Sequence, residues 1–117
     1  MGDSRAIIAS VNDGILVAEP LSRDHKPDDE LEAARIYAAN GRIDSYHDMH
    51  GNSLGPLRVW LKEQDIPGLA MTRSFGDATA ARVGVNAIPE IKEFTLNKDH
   101  KFAVIASDGV WEFMSNM

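Results

Sequence analysis

Acidic residues lie beside three strand-like apolar runs, where a carboxylate can be held at the edge of a sheet. Asp108 follows the run 102–106 after a single serine. Asp3 precedes the run 6–11, and Asp77 ends a third run. Mg²⁺ and Mn²⁺ prefer carboxylate and water oxygens, so these positions suit a site for a hard divalent cation. Turns and helix caps explain Asp-Gly and Asp-Ser pairs equally well, and spacing alone leaves both explanations open.

Other reactive side chains have ordinary structural explanations. His47 and His50 have a spacing found in zinc sites, but no third ligand accompanies them, and solvated loop residues are expected. His25 could act as a base, although we expect it to tie a loop to the backbone. Ser107 lacks the Gly-x-Ser-x-Gly surroundings of a hydrolase nucleophile.

Composition excludes several classes of protein. The formal net charge of -6 argues against binding to nucleic acid or a membrane surface, because both reward a basic face. The absence of cysteine rules out disulfides, thiolate metal sites and a cysteine nucleophile. No apolar run approaches the roughly 20 residues needed to cross a bilayer. We therefore expect an intracellular protein, cytoplasmic or nuclear.

Two β-hairpins are predicted. The first joins the strand-like runs 6–11 and 15–18 through Asn12-Asp-Gly14, which suits the positive φ angles of a type I′ turn. The second joins the alternating segment 91–96 to the run 102–106, which we expect to be buried on both faces.

A helix is predicted over residues 30–39, with Leu31 and Ile36 on its apolar stripe. Asp28 or Asp29 can cap its first turn, because a short acceptor satisfies the free backbone N–H groups there. Asn40-Gly41 then provides a left-handed stop. A second helix is expected to begin near the end of the chain.

The segment 41–68 lacks a clear period and is expected to be a long loop. Loops of this length in small domains are usually functional flaps or poorly ordered segments. Trp60 could be exposed in this segment and contact a partner, whereas Trp111 is expected in the core of the domain.

Five ordered blocks carry a resemblance to a known family. They are Gly2-Asp-Ser-Arg5, Asp24-His-Lys-Pro27, Gly68-Leu-Ala-Met-Thr-Arg-Ser-Phe-Gly-Asp77, Pro89-Glu-Ile91 and Ala106-Ser-Asp-Gly-Val-Trp-Glu112. Their order and rough spacing resemble the metal-dependent protein phosphatase 2C family, and the resemblance covers essentially the whole chain.

The resemblance implies an α+β fold and a hydrolytic activity. The fold would be part of an α-β-β-α sandwich, in which antiparallel sheets are flanked by helices, and residues 1–117 would form a partial catalytic domain. A pair of Mg²⁺ or Mn²⁺ ions would activate a bridging water, which hydrolyses phosphoserine or phosphothreonine in a phosphoprotein substrate.

The resemblance also implies roles for individual residues. Asp108 matches the family's strand-end metal ligand, and we assign it the catalytic role. Asp3 matches an acid that forms a weaker third metal site with Asp108 and with the position of Glu112, where aspartate is usual. Residues 43–67 match the flap, which borders the cleft and contributes to the choice of substrate and regulator.

Several features that the resemblance implies are missing, among them the phosphate-binding arginine and the late Asp-Asn block, so only one of the core metal ligands, Asp108, remains. No Asp-Gly-His-Gly block, which holds the bridging ligands, occurs in the sequence. We therefore expect a C-terminal-half fragment of the catalytic domain that is weakly active or inactive on its own, and whose exposed apolar faces favour self-association. The alternative is a catalytically inactive phosphatase-like module that binds partners through the flap and Trp60.

Overall fold

The computed structural model describes residues 1–117 and divides the chain into two compact units. The first unit contains residues 1–2 and 25–88, and the second contains residues 3–24 and 89–117. Each unit has its own three-stranded antiparallel sheet. Together with the helices, these sheets confirm the predicted α+β class.

Nine elements follow one another along the chain. They are β1 (Arg5–Asn12), β2 (Ile15–Pro20), α1 (Glu30–Ala38), β3 (Gly41–His47), β4 (Ser53–Leu61), β5 (Pro67–Leu69), α2 (Ala78–Ala81), β6 (His100–Ala106) and α3 (Asp108–Trp111). None of the helices is both long enough and apolar enough to span a membrane.

The sheet of the second unit has the strand order β2-β1-β6. The β1–β2 hairpin is confirmed, with positive φ angles of 50° at Asp13 and 77° at Gly14 in its turn. Strand β6 pairs with β1 in the antiparallel direction, and Ala106 lies opposite Arg5. The register of this pair decides which residues of β1 and β6 lie opposite each other at this end of the sheet.

The predicted second hairpin is wrong. Residues 91–96 form no strand, and their apolar side chains, Ile91, Phe94 and Leu96, are exposed. Alternation predicts a strand only where one face becomes buried, and here the ring of Phe94 meets that of His100 at 6.2 Å between centroids but all three apolar side chains stay exposed. Strand β6 is the edge strand of its sheet and is largely exposed. Our expectation that residues 102–106 are buried on both faces is therefore wrong.

The sheet of the first unit has the order β3-β4-β5 and carries the hydrophobic core. The core side chains are Ile36, Val59, Leu61, Ala80, Val83 and Val85. The prediction of a loop over residues 41–68 is wrong, because β3 and β4 form a long hairpin there. The carboxylate of Asp48 accepts hydrogen bonds from the backbone of His50 and Asn52 and closes the turn.

Helix α1 lies close to its predicted bounds. Asp29 caps it, accepting from the backbone N–H groups of Leu31 at 3.0 Å and Glu32 at 3.2 Å. Its buried face is formed by Glu32 and Ile36, whereas Leu31 is exposed, so the predicted apolar stripe is only half right. Gly41, which begins β3, lies so close to α1 that a Cβ there would be only 2.5 Å from Cγ2 of Ile36.

Candidate functional site

Two of the predicted metal ligands lie just outside the paired ends of β1 and β6 in the second unit. Arg5 and Ala106 are the last paired residues of β1 and β6 at this end. Asp3 and Asp108 each lie two residues beyond this pair, Asp3 in a turn and Asp108 at the start of α3. Glu112 follows on α3, where its backbone N–H donates to the carbonyl oxygen of Asp108 at 2.8 Å.

Trp111 fixes α3 to the ends of both strands. Its indole Nε1 donates to the carbonyl oxygens of Arg5 and Ala106, at 3.0 Å in each case. The ring is half-buried rather than in a core, so that prediction is wrong. Because Asp108 begins the same short helix, these two hydrogen bonds also limit where its backbone can lie.

Arg5 stabilises the same end of the sheet and packs its guanidinium against the ring of Trp111. Its guanidinium lies 5.2 Å from the ring centroid and binds both carboxylate oxygens of Asp24, at 2.9 and 2.8 Å. A further hydrogen bond of 2.7 Å joins it to Asn116. The hydrogen bond to Asp24 raises the pKa of Arg5 above its ordinary value, so the arginine stays charged.

The donor chemistry at this edge suits a hard cation, but the chain does not assemble a full set of ligands. Asp108 and Glu112 are exposed, and Asp3 is half-buried. The structure contains no group of three or more His, Cys, Asp or Glu side chains placed to hold a metal ion. The metal-binding and catalytic roles of Asp108, Asp3 and Glu112 therefore stay predictions.

Asp77 lies in the first unit and has a structural use. It adopts a left-handed backbone with φ of 47° and precedes α2 as its N-cap residue. Its carboxylate accepts a hydrogen bond from the hydroxyl of Ser74. The turn explanation fits these contacts better than a metal ligand.

The histidines and Ser107 also have structural explanations. His47 lies at the end of β3, with Nε2 3.7 Å from Oδ1 of Asp44, and His50 lies in the β3–β4 turn. The backbone of His25 is buried and bonds to Gly2 at 2.8 Å and Thr72 at 2.9 Å, in agreement with the loop-tying prediction. Ser107 is the N-cap residue of α3.

A buried carboxylate at Glu32 is the main polar centre that the sequence did not reveal. Its side chain is only 1% exposed and receives hydrogen bonds from three side chains. Oε2 accepts from Arg35 at 2.7 Å and from the hydroxyl of Thr72 at 2.6 Å. Arg73 donates to Oε1 at 2.6 Å and to Oε2 at 3.2 Å.

These contacts decide the ionisation of Glu32. Burial by itself raises the pKa of the carboxyl, because it penalises the charged form. The hydrogen bonds from Arg35, Arg73 and Thr72 outweigh that effect and hold the pKa well below its ordinary range. Glu32 is therefore an ionised carboxylate at physiological pH, with no spare proton for general acid catalysis.

The Glu32 cluster joins α1 to the segment that follows β5. Besides binding Glu32, Arg35 donates to the carbonyl oxygens of Gly84 and Thr72, both at 2.8 Å. Arg73 also donates to the carbonyl of Ile88 at 3.0 Å. One buried acid thus organises three stretches of the first unit. A glutamate within a helical pattern normally indicates a surface residue, so no local signal pointed to it.

Trp60 is buried on the outer face of the β3–β4 hairpin, and the prediction that it is exposed is wrong. Its Nε1 donates to the carbonyl of Asp44 at 2.9 Å, and the exposed fraction of the residue is 5%. Tyr46 packs edge-on at 5.3 Å between centroids, and the guanidinium of Arg42 lies 5.4 Å from the indole. Gly68 covers another part of the ring.

Comparison with known proteins identifies relatives that are similar to this chain in sequence and in fold. The family model described as "Protein phosphatase 2C" matches residues 1–117. "Probable protein phosphatase 2C 12" of Oryza sativa subsp. japonica is 44% identical over 99% of this chain and 29% of its own length. "Probable protein phosphatase 2C 72" of Arabidopsis thaliana is 41% identical over 99% of this chain and 34% of its own length.

Solved structures show the same relationship. The serine-threonine phosphatase 2C from Toxoplasma gondii has a TM-score of 0.84 and is 26% identical, covering 99% of this chain and 38% of its own. A C. elegans sex determining protein has a TM-score of 0.72 at 25% identity, covering 97% of this chain and 24% of its own. The chain spans about a third of the curated relatives' length. With the whole chain matched by the family model, the protein belongs to the protein phosphatase 2C family.

Proposed function

We propose that the protein belongs to a metal-dependent protein serine/threonine phosphatase that uses Mg²⁺ or Mn²⁺. The observation that carries this proposal is the pairing of β1 and β6, which ends at Arg5 and Ala106, two residues from Asp3 and Asp108, with Glu112 directly after α3. Carboxylate oxygens are the ligands that these cations prefer. Family membership supplies the reaction class, with phosphoproteins as substrates.

The residues of this chain would hold and orient the metal-binding edge. Asp108, Asp3 and Glu112 would offer carboxylate oxygens, and Trp111 with Arg5 would keep the strand ends and α3 in register. A bound divalent cation would lower the pKa of a coordinated water and offset negative charge on the phosphoryl group.

We expect little activity from these 117 residues by themselves, because they contain no Asp-Gly-His-Gly block. Weak cation binding at the Asp3–Asp108 edge is the property that the chain should keep. The alternative of an inactive binding module that works through the flap is less favoured, because Trp60, its leading contact residue, is buried.

Mn²⁺ binding tests the proposal directly. In a titration followed by electron paramagnetic resonance, Asp108→Asn and Asp3→Asn should each bind Mn²⁺ about tenfold more weakly, or about 1.4 kcal/mol. Asp13→Asn is the matched control, because Asp13 is an exposed acid in the turn at the opposite end of β1. Mn²⁺ binding that is the same in all four proteins would contradict the assignment.

Phosphatase activity provides the second measurement. Hydrolysis of p-nitrophenyl phosphate should be stimulated by Mn²⁺ only weakly, and Asp108→Asn should abolish whatever stimulation exists. Stimulation that survives in Asp108→Asn would show that Asp108 is not the strand-end ligand.

A further inference from the structure

Asn40 is the only one of the six asparagines that is followed by a glycine. Asparagine is chemically labile, because the backbone nitrogen of the next residue can attack its side-chain carbonyl carbon and displace the amide. A Cβ on the next residue hinders that attack, and Gly41 has none. The sequence therefore makes Asn40 the least hindered of the six.

Contacts within the protein restrain the other asparagines. Four of their side chains are held by hydrogen bonds of 2.7 to 3.1 Å, namely those of Asn52, Asn86, Asn97 and Asn116. In Asn86 and Asn97 the carboxamide oxygen accepts from the backbone N–H group two residues further on, which turns the side chain away from the nitrogen that would attack it. Asn12 lies in β1, where strand pairing restrains the backbone.

Asn40 has neither restraint. It is exposed, and no protein group holds its carboxamide. It follows the end of α1 with a positive φ of 62°, and its backbone N–H donates to the carbonyl of Tyr37 at 3.1 Å. The end of a helix opens more readily than its middle, so the bonds on either side of the Asn40–Gly41 junction can rotate as ring closure requires.

We propose that Asn40 is a site of spontaneous deamidation, which converts it to aspartate or isoaspartate between α1 and β3. The backbone nitrogen of Gly41 forms a bond to Cγ of Asn40, and the bond from Cγ to Nδ2 breaks. Nδ2 leaves as ammonia with the proton of the Gly41 nitrogen, and water then opens the succinimide ring at either of its two carbonyl carbons. The net reaction consumes a water and releases an ammonia. It does not depend on the phosphatase assignment.

Isoaspartate disturbs the hydrophobic core of the first unit. It forms when the ring opens at the main-chain carbonyl, and the main chain before Gly41 is then longer by one methylene. Gly41 has no room to move, because a Cβ there would already lie 2.5 Å from Cγ2 of Ile36 and 3.1 Å from Cβ of Val83. Both side chains belong to the core, so an extra main-chain atom must displace them.

Aspartate leaves the main chain unchanged. Its carboxylate lies at the C-terminal end of α1, where the helix dipole disfavours a negative charge. Lys62 and Arg82 line the same cavity as Asn40 and offset that charge. The two products therefore differ in their effect on stability, although they carry the same charge.

Peptide mapping by mass spectrometry locates the reaction. The folded chain is incubated at mildly alkaline pH, which favours deprotonation of the attacking nitrogen, and is digested at acidic pH. We expect the Asn40 peptide to deamidate at least about tenfold faster than any other asparagine peptide, a difference in barrier of about 1.4 kcal/mol. That margin should narrow in guanidinium chloride, which releases the held side chains. Isomerisation at Asp13-Gly14 leaves the mass unchanged and is thereby distinguished.

Asn40→Gln should abolish the early release of ammonia, because the longer side chain must close a larger ring. Asn52→Gln is the matched control and should leave the release unchanged, since Asp48 holds that side chain. If Asn40→Gln does not fold by circular dichroism, the peptide map of the wild type decides. An Asn40 peptide that stays intact, another asparagine that reacts as fast, or a margin that is the same in denaturant would each overturn the proposal.

Urea unfolding tests the effect on the core. Incubated protein, with its isoaspartate content measured by an isoaspartyl carboxyl methyltransferase, should unfold at lower urea concentration than fresh protein. Asn40→Asp has the same charge as the products but a normal main chain, and it should unfold close to the fresh wild type. Equal midpoints for fresh and isoaspartate-rich protein, or a loss in Asn40→Asp as large as that on incubation, would overturn the role assigned to the longer main chain.

Discussion

At the scale of single residues, Glu32 shows how one buried charge can organise a small domain. Two arginines and a threonine satisfy its oxygens, and those arginines bind backbone carbonyls on both sides of α2. Removing one member of such a group leaves the others buried without compensation, which costs more than the interaction itself contributed. The attachment of α1 to residues 72–73 and 84 therefore depends on this carboxylate.

Glu32→Gln should lower the free energy of unfolding by about 3 kcal/mol, because Arg35 and Arg73 lose their negative partner. Urea denaturation followed by circular dichroism measures the change. Glu30→Gln is the control, since Glu30 is an exposed acid in the first turn of the same helix. A loss of stability no larger than that of the control would contradict the assigned role.

The difference in stability between the wild type and Glu32→Gln should depend on pH. The pKa of Glu32 is lower in the folded chain than in the unfolded one, so its contribution is complete above the unfolded value. That contribution is lost as the pH falls below about 4.3 toward the folded pKa. The stability difference between wild type and Glu32→Gln should therefore shrink between about pH 5 and pH 3. A constant difference would contradict this.

At the scale of elements, the β3–β5 sheet depends on the close contact between Gly68 and Trp60. Gly68→Ala should destabilise the chain by about 2 kcal/mol, since it adds a Cβ against the indole as well as a strained φ. Gly55→Ala isolates the backbone cost, because Gly55 has a φ of 75° and open space around it. Urea midpoints compare the two, and equal losses would show that the contact with Trp60 adds nothing.

Local signals decided which elements could be predicted from the sequence. The turn through Asp13 and Gly14 and the Asp29 cap each rest on neighbouring residues, and both are confirmed. The β3–β4 hairpin escaped prediction because a register shift between Asp44 and Tyr46 breaks its alternation. Residues 91–96 alternate only in part, because Ile91 and Phe94 would lie on opposite faces of a strand, and burial depends on distant residues that cover a face.

The residues of the candidate site also differ in whether a local signal could reveal them. The blocks around Asp3 and Asp108 could be recognised because they follow the order of the family motifs, and the pairing of β1 and β6 ends two residues from each of these acids. Glu32 and Arg73, which are hydrogen-bonded, are 41 positions apart in the sequence. Arg58 likewise donates to the carbonyl oxygen of Gly68, which lies on another strand. Contacts between distant residues of ordinary type leave no mark in a single sequence.

At the scale of the whole molecule, the hydrophobic core lies in the first unit, while the second unit exposes most of its large apolar side chains. Among these are Ile15, Leu16, Phe102, Ile105, Phe113 and Met117. Exposed apolar surface next to an unpaired strand edge favours association with another chain. We expect self-association on this ground.

Sedimentation velocity across a range of concentrations should reveal concentration-dependent association. Ile105→Lys should reduce it, because Ile105 is 80% exposed on the edge strand β6 and a lysine disfavours edge pairing. Leu31→Lys is the control, since Leu31 is almost equally exposed, at 78%, but lies on helix α1 rather than on a strand. A wild-type chain that stays monomeric throughout would refute the expectation.

The hydrogen bonds of Trp111 to the ends of β1 and β6 have a practical consequence. Trp60 and Trp111 are the only tryptophans, so Trp60→Phe leaves Trp111 as the sole indole fluorophore. Its emission then reports the polarity around one N–H group that donates to the ends of β1 and β6, at Arg5 and Ala106. If Asp3 and Asp108 bind Mn²⁺ as proposed, the emission of Trp111 should change on binding, so that occupancy can be followed without an added label.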